Sequence, residues 1–224
     1  QTQVIDLNGR FVMPGFIEGH GHFMSLGRSK QILDLNDVSD WSKIVSKVAV
    51  AVDKSKPGEW IFGRGWHQDK WESVPSNAVD GVPINETLNK VSPNNPVILG
   101  HASGHAAFWN DVALEVAGVN DDTLDPEGGT IVRDSTGKAT GLMRETAQRL
   151  IRGPRSQYDG RLTPQQVEIQ NREKAKLAAA EALKYGITSF HDAGASFETI
   201  DFFKKLESEG ELDIRLYVMV RGES

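Results

Sequence analysis

The sequence contains no cysteine, which excludes disulfides and thiolate metal sites and leaves histidine and carboxylate to hold any zinc ion. No apolar run approaches the roughly 18 residues of a membrane-spanning helix, and the first residues lack the charged-then-apolar pattern of a signal peptide. Runs of Lys or Arg are also missing. With 25 Lys+Arg against 31 Asp+Glu, and a formal net charge of −6, neither nucleic acid nor an anionic membrane is an expected partner. Internal repeats and low-complexity tracts are absent. What remains is the composition of a soluble globular protein, expected in the cytoplasm. Its 224 residues and 38% apolar content can bury a sizeable core in one large domain or two small ones.

The most informative stretch present is Pro14-Gly15-Phe16-Ile17-Glu18-Gly19-His20-Gly21-His22. Phe16 and Ile17 favour an extended backbone, and alternation along a strand sends His20 and His22 to the same face. The stretch reads as a buried strand delivering two imidazoles to one point, where they can grip a divalent metal. Gly19 and Gly21 clear side chains from around the pair, so water and substrate can approach the backbone. Placing 6 histidines at random among 224 residues gives about 0.16 His-x-His pairs, so spacing alone leaves coincidence as an alternative.

Along the chain, Gln31 to Leu35 alternates like a short strand. Ser39 or Asp40 can cap a helix carrying Trp41, Ile44, Val45, Val48 and Val52 at helical spacing, up to the break at Pro57-Gly58. Trp60 to Trp66 reads as a strand, Ile84 to Val91 as a short helix, and Val97-Ile98-Leu99 as a buried strand ending at His101-Ala102-Ser103-Gly104-His105. Asn110 caps a helix closed by Gly118, and Asp125-Pro126-Glu127-Gly128-Gly129 opens a hairpin with a turn at Asp134 to Lys138. A long helix from Thr163-Pro164 to Tyr185-Gly186 follows. Ile187 to Asp192 is then a strand, Phe197 to Glu209 a helix, and Ile214 to Val220 a last strand, expected to be buried. Strands and helices alternating at this rhythm indicate parallel βα units.

Val4-Ile5-Asp6-Leu7, Gly9-Arg10 and Val12 to Ile17, running into His-x-His, closely resemble a segment of the amidohydrolase superfamily. There the chain passes from a small β-sandwich into the first strand of a metal-bearing (β/α)8 barrel. Four further stretches resemble amidohydrolase family 3, the branch that includes N-substituted formamide deformylase-like proteins. They are Gly63-Arg64-Gly65-Trp66; Ser103-Gly104-His105-Ala106 with Trp109-Asn110; Asp125 to Ile131 with Arg133-Asp134; and Thr140-Gly141-Leu142-Met143-Arg144-Glu145. The resemblance spans essentially the whole chain. It departs at Glu18 and His67, where the family commonly carries Asp.

The resemblance implies an α/β fold: part of a metal-dependent (β/α)8 TIM barrel with an inserted α+β subdomain and a remnant of the N-terminal β-sandwich. Residues 1–13 are then the end of the sandwich and the linker, 14–35 the first barrel strand and following segment, 36–160 the insertion, and 161–224 further βα units. A whole barrel takes about 250 residues, so an N-terminal and central fragment is expected.

The resemblance also implies His20 and His22 as ligands to one or two divalent ions, expected to be zinc. The family's later ligands, a carbamylated Lys, two His and a proton-carrying Asp, have no motif before Ser224, so the general base is expected beyond it. His105, Trp66 and Glu145 are expected to shape the pocket for a small amide-like substrate. Each has a plainer alternative: a histidine satisfied by backbone, a core aromatic, and a carboxylate in the first turn of a helix bearing Ala147, Leu150 and Ile151. His191 ends a barrel-like strand without an implied metal role. The expected reaction is hydrolysis of a C–N bond, in an amide or related non-peptide compound, by metal-activated water. Two other functions are carried forward. One is a catalytically incomplete fragment with a role in folding or association, homo-oligomers included. The other is a His-x-His phosphoesterase, which needs phosphate-binding glycines or an Arg/Lys cluster near the metal, whereas Gly128-Gly129 sits in an acidic hairpin.

Overall fold

A computed structural model describes residues 2–73 and 76–222. In chain order the first elements are β1 (Phe16–Gly21), α1 (Phe23–Ser29), β2 (Leu33–Asp34), α2 (Trp41–Val52), β3 (Ile61–Trp66) and α3 (Glu86–Val91). Then come β4 (Val97–His101), β5 (Ala106–Trp109), α4 (Asp111–Ala117), β6 (Gly129–Arg133), β7 (Ala139–Glu145) and α5 (Arg152–Asp159). The chain ends with α6 (Pro164–Lys184), β8 (Ile187–Ala195), α7 (Phe197–Ser208) and β9 (Arg215–Val220). The described residues form two compact units: one from residues up to 28 and from 168 onward, the other from residues 29–167.

The first unit is a three-stranded parallel sheet in the order β1-β8-β9. Its core joins Phe23 of α1, Phe190 of β8 and Phe203 of α7, whose rings meet edge-on at 5.4 and 5.8 Å. Full burial of such a ring contributes about 1.5–3 kcal/mol. Helix α6 presents Ala175, Ala178, Ala179 and Ala182, a small-residue stripe at helical spacing, so neighbouring backbone can lie close. Gly27 exploits this: a Cβ built there would sit 1.8 Å from the Lys174 carbonyl oxygen.

The second unit is a six-stranded mixed sheet in the order β2-β3-β4-β5-β7-β6, with antiparallel pairing from β4 onward. Alternation gives it two covered faces. Phe108 and Leu142 join Leu35, Ile44, Leu88 and Leu99 on one side. Trp109 and Met143 join Ala113, Leu114 and Ile131 on the other. Asp40 caps α2 by accepting from the Lys43 N–H at 2.9 Å. Asn110, fully buried, caps α4 by accepting from Ala113 N–H at 3.0 Å. Its oxygen also accepts from Val97 N–H at 2.9 Å, and its amide donates to the Ser92 and Asn95 carbonyls. One side chain thereby ties the start of β4 to the end of β5.

Four expectations are corrected. Among the described residues β1 is an edge strand with one partner, so Phe16 and Ile17 are 55% and 63% exposed rather than buried. β9 is the other edge, and Tyr217, Met219 and Val220 are exposed for the same reason. Residues 2–13, within the stretch 1–13 expected as the end of the sandwich and the linker, form no strand and pair with no described strand; Val4, Ile5, Phe11 and Val12 lie exposed. Glu145 ends β7 rather than lying inside the first turn of a helix, and the 3-10 turn Thr146–Ile151 begins after it.

The close approach at Gly27 sets a test. Gly27→Ala should destabilise the fold by about 1–3 kcal/mol, the usual cost of overpacking. Gly153→Ala, where a Cβ meets nothing within 4 Å, should be neutral or slightly stabilising. Urea unfolding followed by circular dichroism distinguishes them, and equal midpoints would contradict the packing described.

Candidate functional site

The His-x-His pair sits where β1 ends. His20 is in the strand's last turn of alternation and His22 directly follows Gly21. Their rings lie 6.3 Å apart between centroids, edge to face. Gly21 is pressed against the neighbouring strand, since a Cβ there would come within 2.4 Å of the Phe190 ring. The end of β1 is held by Asp192 on β8, whose carboxylate accepts from the Phe23 and Gly194 N–H groups, each at 3.2 Å. Asp192 is almost fully buried and its Oδ1 lies 3.8 Å from His22 Nδ1, while His22 is half exposed. A small cavity of about 240 Å³ opens here, lined in part by His22, Asp192, Ser25, Thr199 and Arg221. The donor set fits a divalent ion in kind, two imidazoles backed by a carboxylate. It does not complete a site: no group of three or more His, Cys, Asp or Glu among the described residues converges as a metal centre.

The second unit carries a cleft of about 360 Å³. Antiparallel pairing reverses β5 and β6, so their N-terminal ends meet the C-terminal ends of β3, β4 and β7 at one edge of the sheet. Trp66, His101, His105, Thr130, Arg144 and Glu145 therefore line one opening. His105 Nδ1 lies 3.1 Å from Glu145 Oε2, and the Glu145 N–H donates to the His105 carbonyl at 2.9 Å. An ionised carboxylate can only accept, so this contact favours a proton on Nδ1 of the ring. Glu145 holds this place with φ 51° and ψ −124°, a backbone state that costs a non-glycine residue about 1–3 kcal/mol. Trp66 is a core residue: it is buried, stacks on Trp71 at 5.8 Å, and donates its indole N–H to the Leu99 carbonyl at 2.7 Å. One edge of it forms cleft wall.

The family comparison covers nearly the full length, matching the amidohydrolase family over residues 3–222. This chain is an amidohydrolase-family member. Among curated proteins it is 34% identical to LONG AFTER FAR-RED 3 of Arabidopsis thaliana, over 88% of this chain and 31% of that protein. It is 27% identical to the putative amidohydrolase YtcJ of Bacillus subtilis, over 100% of this chain and 41% of that one. It is 26% identical to the N-substituted formamide deformylase of Arthrobacter pascens, over 99% and 40%. The chain thus spans less than half the length of these relatives. Crystal structures of uncharacterized metal-dependent hydrolases from Pyrococcus horikoshii OT3 and Pyrococcus furiosus superpose with TM-scores of 0.62 and 0.61. Both are 25% identical, and the match covers 96% of this chain and 38% and 39% of theirs. The fold is accordingly mixed α/β of the kind found in metal-dependent hydrolases. No helix among the described residues is long and apolar enough to cross a membrane.

In this amidohydrolase-family chain the structure gathers His105, Glu145 and Trp66 into one cleft and His20 with His22 at one strand end. The sequence assigns no functional role to His101, and to Asp192 only that of a hydrogen-bond partner for His191. His101 is buried at the end of β4, with Nδ1 accepting from the Ser103 N–H at 3.1 Å and lying 2.8 Å from Ser103 Oγ. Its Nε2 faces Gln68 Oε1 at 3.1 Å. The signal for it was present, since a histidine closing an apolar strand just before Ser-Gly must be satisfied locally. Burial, followed by the nearby His67, lowers the His101 pKa below its usual value of 6.5.

That shift carries a sign. A histidine whose folded pKa is below its unfolded one adds stability that is complete above about pH 6.5 and is lost as pH falls through the folded value. The His101 ring resonance should therefore titrate below pH 6.5 by NMR. The wild-type chain should lose stability on acidification through this window, and His101→Gln should flatten that dependence. A midpoint above 6.5 would contradict it.

Proposed function

We propose that this chain carries the first metal-ligand pair and the substrate-side subdomain of a cytoplasmic metal-dependent hydrolase that cleaves a C–N bond in a small amide-like compound. The observation that carries the reading is the His20/His22 pair at the C-terminal end of a parallel strand, in a chain of the amidohydrolase family. Catalytic groups of (β/α)8 enzymes sit at that end of their strands. On this reading β1, β8 and β9 are three of the barrel strands, and the second unit is an insertion between the first and second of them.

His20 and His22 would hold a divalent ion, with zinc the choice that suits imidazole and carboxylate donors without thiolate. Such an ion supplies a hydroxide nucleophile near neutral pH and polarises the scissile carbonyl. In the cleft, Glu145 fixes the His105 ring with its Nε2 lone pair outward, which suits it to accept a hydrogen bond from a substrate N–H. Neutral His101 braces the loop that carries His105, and Trp66 excludes water from the cleft floor. A reading confined to folding or association is favoured by one observation, the lack of a convergent third ligand among the described residues.

Zinc titration of the chain, followed by NMR of its six histidines, tests the site. His20 and His22 should respond first, and His20→Ala should abolish the response. Binding should be weak, because a catalytic zinc site uses three protein ligands plus water, and amide hydrolysis by the chain alone should not be measurable. If zinc moves His67, His101, His105 and His191 equally and spares the pair, the metal-site reading fails. Stoichiometric zinc surviving dialysis, with turnover lost in His20→Ala, would show a completed site and remove the association reading.

A further inference from the structure

We infer that Asp192 is the positioning residue of His22, fixing both the main chain that carries it and the ring nitrogen it presents. The inference rests on the metal-site reading of the His-x-His pair. Asp192 is a carboxylate almost fully buried on β8, and it faces His22. A buried carboxylate is costly unless its lone pairs are filled. Here Oδ2 accepts from the Phe23 N–H and Oδ1 from the Gly194 N–H. The first bond clamps the residue immediately after His22. The second folds the carboxylate's own strand end toward it.

The geometry then selects one ring nitrogen. Nδ1 of His22 is the atom facing Oδ1, at 3.8 Å, beyond hydrogen-bond range but within reach of a modest rotation of a half-exposed ring. Asp192 is an acceptor, so it favours the proton on Nδ1 and leaves Nε2 as the free lone pair. This is the arrangement in which a carboxylate behind a histidine orients it and raises its basicity toward a metal. Strand register makes the placement reproducible: Gly21 pairs with Asp192, so the carboxylate falls opposite the backbone that leads into His22. His191, one residue earlier, points the other way and packs against Tyr217 at 5.1 Å, which leaves Asp192 to face the pair.

The test has a readout that needs no metal. In the full chain, nitrogen-15 NMR should show His22 mainly as the Nδ1–H tautomer, and Asp192→Asn, which keeps one acceptor oxygen and turns the other into an NH2 donor, should remove that preference. A wild-type His22 found as Nε2–H overturns the inference outright, even if the variant fails to fold. In a second arm, zinc competition against a chromophoric chelator should show affinity falling about 10- to 100-fold in Asp192→Asn, the usual effect of losing such a carboxylate. The variant's circular dichroism and its amide shifts outside Phe23 and Gly194 should stay near wild type, which shows that it folds. Unchanged zinc affinity in the folded variant overturns the positioning role. A wild-type chain with the expected tautomer but no zinc response from His20 or His22 would instead sink the metal-site reading.

Discussion

The geometry of the first unit depends on one buried carboxylate. Asp192 accepts two main-chain N–H groups, from Phe23 and Gly194, and thereby stitches the end of β1 to the end of β8. Hydrogen bonds to a charged acceptor are the stronger kind, about 1.5–3 kcal/mol each. The strand it stabilises needs that help, because β1 has a ladder on one side only and exposes its apolar residues. Phe23 carries both roles at once. Its N–H is held by Asp192 while its ring is the centre of the Phe190/Phe203 cluster, so the histidine before it is anchored by packing and by polarity together.

The second unit solves a different problem. Its cleft needs polar side chains from five strands at one edge, and an all-parallel arrangement would have left the starts of β5 and β6 at the far end. Reversal after β4 brings them back, and the buried Asn110 sets where β5 stops relative to the start of β4. The accumulated cost appears at Glu145, whose positive φ lets β7 end abruptly and aims its carboxylate at His105. Strain of this kind persists only where surrounding structure over-determines it. Here the His105 carbonyl, which accepts the Glu145 N–H, supplies part of that constraint.

Much of this was legible in the residues. The caps Asp40, Asn110 and Gly118, the hairpin turn after Arg133, and the elements after Thr163 follow from local chemistry that acts over a few residues. The His-x-His spacing gave the pair at the end of β1, and the family motifs gave the amidohydrolase assignment. What local chemistry could not give was which apolar strands are covered. Phe16 and Ile17 have the side chains of a buried strand, but exposure is decided by how many neighbours a strand has in the sheet. Glu145 was misread because a carboxylate before Ala147, Leu150 and Ile151 matches helical spacing, whereas Gly129 and His105 pair with it as a strand end. Asp192 lies 170 residues from His22 in sequence, and strand pairing, not proximity along the chain, joins them.

The two clusters differ in what they can do unaided. His105 and Glu145 satisfy each other through the Nδ1–Oε2 contact at 3.1 Å, which positions the ring without a ligand. His20 and His22 make no such hydrogen-bonded pair, with ring centroids 6.3 Å apart, and among the described residues the carboxylate of Asp192 faces the ring of His22. Two imidazoles on an edge strand must lose side-chain freedom to share an ion. That entropy is recovered only when further ligands raise the coordination toward the three protein donors of a catalytic zinc site. Metal affinity should therefore rise steeply with each added donor, making the pair a sensitive gauge of whether the rest of the site is in place.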